Sequence, residues 1–211
     1  EASIQLKNHL LLLSKQAPNV VKENEYNGKN GIFIGQTNNA KKNNVAADAL
    51  EEDGYAFKNI GDDFLIQGGS EKGLIFGIYS LLESFGFRKY AADDPLDIPS
   101  TINFELPNDI TKIPKINYRT TNYYEGRDSE YADWNKLSSR DSWGLFVHTF
   151  EVLVPPEKYG KSNPEYYSLI DGERNVVTQL CLSNEEMFDV LVTDLRKRIN
   201  ENPKAKYWSV S

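Results

Sequence analysis

The stretch from Gly54 to Arg127 constrains the fold of this chain more than any other. A hairpin pattern, GYAFKNIGDDFLIQGG, runs into an apolar helix pattern, SEKGLIFGIYSLLESFGF. A crossing marked by Pro95, Pro99, Pro107 and Pro114 follows, and then an aromatic run, NYRTTNYYEGR. Tyr55–Asn59 and Asp63–Gln67 read as two strands around Ile60-Gly61-Asp62, with Gly61 free to take positive φ. Ser70 reads as a helix cap. Leu74, Ile78, Leu81, Leu82 and Phe85 fall on one helical face, and Gly73 and Gly77 would let that face approach a sheet closely. Two strands joined tightly and then covered by a helix predict a small α/β sheet domain.

The glycines between the second strand and the helix, Gly68, Gly69 and Gly73, invite a phosphate-binding reading. Their spacing does not fit. Ser70 stands where a dinucleotide fingerprint needs its second glycine, and no Lys-Ser/Thr pair follows the last glycine as in a P-loop. A nucleotide-dependent α/β enzyme is therefore disfavoured, and no cofactor is expected.

Around this centre the reading is simpler. Residues 3–16 predict a helix with Leu6, Leu10, Leu13 and Ala17 on one face, closed by Pro18. GIFIG at Gly31–Gly35 reads as a short buried strand, VAADALEE (45–52) as a short helix or turn, and TINFEL (101–106) as one further strand. In the second half, Asn117–Tyr124, Gly144–Phe150, Thr178–Leu182 and Tyr207–Ser211 read as strands. Asp133–Ser142 reads as a helix or turn, and residues 151–179 as one long loop. Ser183-Asn184-Glu185-Glu186 matches a capping box, opening a helix with Phe188, Leu191, Val192, Leu195 and Ile199 on one face. Strand, helix and strand in that order imply parallel pairing. The boundary between halves falls near Ile113, giving domains 1–113 and 114–211.

Charge and cysteine narrow the function classes. A net charge of −7 argues against a nucleic-acid footprint. No apolar run reaches the ~18 residues a membrane span requires. The single cysteine, Cys181, excludes an internal disulfide and a zinc–thiolate cluster, and between Leu180 and Leu182 it reads as a buried, inert thiol. With only His9 and His148 in the chain, no metal site is expected.

The order of patterns from Gly54 to Arg127 resembles the small α/β domain that precedes the catalytic (β/α)₈ barrel of family 20 glycoside hydrolases (β-hexosaminidases) and α-glucuronidases. The chain is nearest to a group of bacterial polysaccharide-associated proteins of unassigned activity. That likeness is carried by WGLFVHTF (143–150), PPEKY with NPEYYSL (155–169), and QLCLSN (179–184) with WSVS (208–211). It implies an α/β domain followed by the first strands and helices of an incomplete barrel. It also implies a glycoside hydrolase acting on a polysaccharide or oligosaccharide, located in the periplasm or outside the cell. The acidic Asp-Glu pair of the hexosaminidases lies later in their barrel and has no counterpart in these residues, so the catalytic carboxylates are expected beyond residue 211. Three parallel strands cannot close a barrel. The remainder of the barrel, or another chain, would then cover the open sheet edge. The alternative is a non-catalytic carbohydrate-binding or scaffolding module of a polysaccharide-utilisation system.

In hexosaminidases the first barrel strand runs from one arginine to a second eight residues on, and the second binds sugar hydroxyls. Arg119 and Arg127 have that spacing. Arg127 is thus the first candidate contact to sugar hydroxyls or a uronate carboxylate, against a surface arginine paired with Asp128 or Glu130. Glu125 is a candidate polar ligand. His148 reads as a core histidine or as a sugar contact at the mouth of the second strand. Aromatics crowd residues 118–167, and their flat apolar faces suit the C–H faces of sugar rings. Tyr124 and Trp143 are the two expected to face a carbohydrate.

Overall fold

A computed structural model describes residues 1–14, 18–101, 104–138 and 142–211. The chain is mixed α/β, and it divides into two compact units, Glu1–Ser139 and Arg140–Ser211.

The first unit is built on a four-stranded sheet, ordered β1-β3-β2-β4, with β1 Ile32–Ile34, β2 Tyr55–Ile60, β3 Asp63–Gly68 and β4 Ile110–Lys112. The β2–β3 hairpin forms as its sequence predicts, with Gly61 at φ +63°. β1 joins β3 in parallel and β4 joins β2 antiparallel. Period-two alternation decides what β3 buries. Phe64 and Ile66 enter one core with Phe57, while Leu65 enters another with Phe33 and Ala40. Both sheet faces are thus covered.

On the Phe64 face lie α1 (Ala2–Leu13) and α3 (Glu71–Ser84); α2 (Asn38–Lys42) supplies Ala40 to the other core. The Ser70 hydroxyl accepts the Gly73 N–H at 3.2 Å, so the predicted cap is present. A Cβ on Gly73 would lie 2.4 Å from the Gly54 carbonyl oxygen, and one on Gly77 3.1 Å from Ile66. Those glycines let α3 sit directly on the hairpin. In α1, Leu6 is buried and Leu10 and Leu13 pack against the core, whereas Leu11 and Leu12 are exposed. A run of four leucines on a helix cannot place all four on one face. Ala17 lies outside the described residues.

Several expectations are corrected. Asn117–Tyr124 is not a strand: the chain runs irregularly to a 3₁₀ turn at Tyr124–Arg127 and then α4, Ser129–Trp134. The helix expected from Asp133 thus falls earlier, and residues 139–141 lie outside the description. In TINFEL, residues 102 and 103 are not described and 104–106 are not strand; the fourth strand forms at Ile110 instead. Compactness divides the chain later than Ile113, because residues 114–138 pack onto α3. Trp134 is buried with its ring 4.4 Å from Tyr79, and Lys136 pairs with Glu83 at 2.6 Å. Burial lowers the Lys136 pKa against the opposing pull of Glu83.

In the second unit, β5 (Trp143–Leu145) and β8 (Tyr207–Trp208) pair in parallel, as the element order implied. Both are shorter than predicted. β5 ends because Val147 and His148 take φ +33° and +52°, and α5 (Phe150–Leu153) starts two residues later. The expected long loop is ordered into α5, α6 (Pro156–Tyr159), a 3₁₀ turn at Pro164–Tyr166, and a small hairpin, β6 Leu169–Ile170 with β7 Glu173–Arg174. Thr178–Leu182 supplies one bridge, Leu180 to Tyr167, rather than a strand. Helix α7 spans Glu185–Glu201 and is capped by Asn184, not Ser183: the Asn184 side chain accepts the Met187 N–H at 2.9 Å. Met187 and Leu191 are its buried residues, while Phe188 is 55% exposed and Ile199 is exposed as well. No closed barrel is formed among the described residues.

Candidate functional site

The segment that was expected to be a strand becomes the most distinctive surface of the first unit. Tyr123 leads into the 3₁₀ turn, the Gly126 N–H donates to the Tyr123 carbonyl at 3.1 Å, and the Asp128 N–H donates to the Glu125 carbonyl at 2.9 Å. Asp128 then caps α4, its Oδ1 accepting the Tyr131 N–H at 2.8 Å. Tyr124, Glu125 and Arg127, three of the five sequence-predicted site residues, therefore share one exposed turn.

Arg127 places its guanidinium 4.8 Å from the centre of the Tyr124 ring, which is 71% exposed. Among the described residues it forms no ion pair with Asp128 or Glu130, because Asp128 is committed to the α4 cap. Tyr123 sets its ring edge-on to Tyr131 at 5.7 Å. Its hydroxyl is pushed above the usual tyrosine range by partial desolvation, and then by Glu125, Asp93, Tyr131 and Asp94. The result is an aromatic surface carrying one stacked guanidinium and a border of carboxylates. Such a surface offers apolar ring faces and both donors and acceptors at their rim.

Arg119 has a different task. Its Nη2 meets Asp53 at 2.7 Å, its Nε donates to the Lys136 carbonyl at 2.9 Å, and its Nη1 donates to the Ile116 carbonyl at 2.7 Å. Its guanidinium also lies 5.9 Å from the Phe76 ring centre. Its planar fork bonds two carbonyls inside residues 114–138 and ties that segment to Asp53, just before β2. Of the two arginines eight residues apart, the first clamps and the second is presented.

The remaining two candidates belong to the second unit. Trp143 is the first residue of β5, so it stands at the strand's N-terminal end. Its ring packs against Phe146 at 5.0 Å and Tyr207 at 5.2 Å, and its indole nitrogen is buried. Trp143 is thus a packing residue at least as much as a presented one. The Trp208 indole fills the space a Cβ on Gly144 would need. His148 is exposed, which corrects the core-histidine reading and places it just beyond the C-terminal end of β5. Two successive residues at positive φ, one of them β-branched, are an uncommon and costly conformation. The segment is pinned from behind by Thr149, which is buried: its hydroxyl donates to the Ser209 carbonyl at 2.9 Å and accepts the Ser211 N–H at 3.2 Å.

Sequence reasoning missed the pairing of Tyr123 with Tyr131. The signal available was the density of tyrosine in 118–131; what it lacked was the turn that brings the two rings together. Cys181 is half-exposed, not buried, because Leu182 on one side of it points to solvent. The Ser183 hydroxyl, with Arg174 behind it, lowers its thiol pKa. No group of three or more metal-binding side chains occurs among the described residues. A cavity of about 460 Å³ lies between α1, the 18–23 segment and β1, lined by Leu6, Leu10, Val20, Ile32 and Ile34. None of the five candidates borders it.

No helix among the described residues is long and apolar enough to cross a membrane. No curated protein and no solved structure matches this chain. Residues 90–211 match the family described as Domain of unknown function (DUF4838). That match takes in the Tyr123–Tyr131 surface, the Arg119 clamp and the whole second unit. Since it covers more than half of the sequence, the chain is a member of the DUF4838 family.

Proposed function

We propose that this chain recognises carbohydrate, in a protein of glycoside-hydrolase type that acts on a polysaccharide or oligosaccharide in the periplasm or outside the cell. The observation that carries the reading is the exposed Tyr124 ring with Arg127 stacked on it, bordered by Tyr123, Tyr131 and Glu125. Sugar rings stack their C–H faces on such aromatics, while guanidinium and carboxylate groups bond their hydroxyls. The parallel pairing of β5 with β8 through α7 supports a barrel-like second half, with His148 at the strand end where barrel proteins keep their sites. On this reading the domain division 1–113 and 114–211 is one of ancestry, and the compact units reflect how residues 114–138 fold back.

A second reading, binding without hydrolysis, is favoured by the setting of Glu125. A general acid at a glycosidic bond works from a desolvated pocket. Glu125 stands exposed on a surface turn.

Both readings are tested on the 211-residue chain by NMR titration with a panel of neutral and charged oligosaccharides, beside a hydrolysis assay on the same panel. Binding lost in Tyr124→Ala, without change in the circular dichroism, is expected. Turnover that disappears in Glu125→Gln would select the catalytic reading for this surface. A chain that binds no member of the panel would remove the carbohydrate reading.

A further inference from the structure

At the outer edge of β1 an unpaired strand and an apolar hollow lie side by side. The Gly31 carbonyl accepts the Phe64 N–H at 2.9 Å, and the Gly35 N–H donates to the Ile66 carbonyl at 2.8 Å. Parallel ladders alternate, so Gly31, Phe33 and Gly35 turn toward β3, while Ile32 and Ile34 present their N–H and C=O groups outward. Those four groups meet no partner among the described residues. Side chains alternate too: Ile32 and Ile34 pack toward the Phe64 core and Phe33 lies in the Leu65 core. All three line the cavity of about 460 Å³, which therefore runs along the strand's edge and not over one face. Its other wall carries Leu6 and Leu10 of α1 and the exposed Val20 and Val21.

Free sheet edges are commonly blunted by Lys or Pro. The opposite edge, β4, follows that rule, with Lys112 in the strand and Pro114 just after it. β1 is Ile-Phe-Ile and carries neither. The charge lining the hollow is cationic. Glu23 is committed, its two carboxylate oxygens accepting the Asn38 and Asn39 N–H groups at 2.7 and 2.8 Å. Lys29 has only an exposed contact with Asp62 at 3.5 Å, and Lys7 forms no ion pair among the described residues. We infer that this edge takes an extended partner strand supplied from outside these 211 residues, apolar at alternate positions and acidic at its ends, which lengthens the sheet by one strand. The outward N–H and C=O groups select a peptide backbone over a lipid or a sugar, and the cations complement its acidic ends. A second copy of this chain suits the edge less well, because an isologous pairing sets the same surface against itself and brings lysines toward lysines. This site is independent of the carbohydrate reading above.

The test titrates the 211-residue chain with the peptide acetyl-DVTVTVD-amide, read by NMR and by amide hydrogen exchange. Binding is expected to slow exchange at Ile32 and Ile34 and to leave Phe33, already in the β1–β3 ladder, unchanged. Methylating the peptide nitrogens at odd or at even positions removes the donors of one strand edge at a time. One of the two methylated forms should bind about tenfold more weakly, its bonds to the Ile32 and Ile34 carbonyls being lost, and the other should bind like the parent. The peptide acetyl-KVTVTVK-amide should bind several-fold more weakly than the acidic one, at the scale of exposed charge contacts. Lys7→Glu, on a partly exposed helix position, should narrow that gap with an unchanged circular dichroism spectrum. Absence of binding, affinity indifferent to both methylations, protection that falls elsewhere than β1, or equal affinity for the acidic and lysine peptides would overturn the inference. So would a dimer in sedimentation velocity with Ile32 and Ile34 protected before any peptide is added, which would assign the edge to a second copy.

Discussion

Arg119 and Asp53 meet at 2.7 Å across a separation of 66 residues, and with that contact the chain that leaves the sheet is fastened back onto the loop before β2. The side chains are only 21% and 14% exposed. An arginine so placed cannot be removed without leaving a largely desolvated carboxylate and the part-buried Lys136 carbonyl without their partner.

Arg119→Ala is therefore expected to destabilise the first unit by roughly 2–4 kcal/mol, somewhat below the cost of breaking a fully buried pair. Asp53→Asn should cost less, since Asn keeps an acceptor for the guanidinium. Urea titrations of the two single variants and the double variant give the coupling directly. Additive effects with no coupling would show that the pair contributes nothing of its own.

Gly73 is the second structural dependency. The Gly54 carbonyl sits where its Cβ would go, and that oxygen belongs to backbone that cannot rotate away. Gly73→Ala should lower stability by about 1–3 kcal/mol, the range for forced overpacking, despite alanine's better helix propensity. At Gly61, which opens onto empty space at φ +63°, the same substitution should cost only about 1–2 kcal/mol of backbone strain. A Gly73→Ala protein with an unchanged urea midpoint would mean that α3 does not lie this close to the hairpin.

The parts of the fold legible in the sequence are those whose signals are local. The β2–β3 hairpin and α3 carry alternation, a turn glycine, a capping serine and an apolar face within thirty residues, and all of these agree. Asn117–Tyr124 misled because strand-forming residues express that preference only against a partner strand. Here Arg119 instead bonds carbonyls on both sides of itself, and the segment wraps onto α3. The β6–β7 hairpin was readable in principle. Asp171-Gly172 takes φ +51° and +84°, the left-handed pair of a two-residue turn, but strands of two residues give no alternation to flank it. The candidate site was half legible. The arginine spacing and the aromatic density pointed to Arg127 and Tyr124, while the contact between Tyr123 and Tyr131 depends on the 3₁₀ turn between them, which no local pattern announces.

Tyr79 gives an alkaline prediction. Burial, followed by the negative charges of Glu130, Asp133, Asp128 and Glu1, pushes its hydroxyl up to about 12. The folded pKa lies above the unfolded value of ~10, so the unfolded chain loses this proton first. The stabilising contribution is fully present below pH ~10 and declines as pH rises toward 12, by on the order of 2 kcal/mol. Urea midpoints measured from pH 9 to 11.5 should fall less steeply in Tyr79→Phe than in the parent. Identical slopes would assign the alkaline loss to other groups, Tyr55 first, whose hydroxyl burial also raises.

The last prediction concerns the end of β5. Thr149 holds the tail after β8 through two hydrogen bonds to its buried hydroxyl, while the two residues before it adopt left-handed backbone. If the tie fixes the strain, the two should respond in opposite directions. Thr149→Val keeps the shape and removes the hydroxyl, leaving the Ser209 carbonyl and Ser211 N–H short of a partner. It should cost about 1–3 kcal/mol, the penalty for stranding such groups, and Thr149→Ser should restore most of it. Val147→Gly removes the Cβ that makes φ +33° costly. The relief of ~1–2 kcal/mol outweighs the extra entropy of glycine, ~0.5–1 kcal/mol, so a slightly raised melting temperature is expected. Hydrogen exchange of the β5 and β8 amides reads both effects at their source: slower exchange in Val147→Gly, faster in Thr149→Val. Faster exchange in Val147→Gly would mean that the valine side chain, although half exposed, contributes more by packing than it costs in strain, and that His148 owes its presentation to that packing rather than to the Thr149 tie.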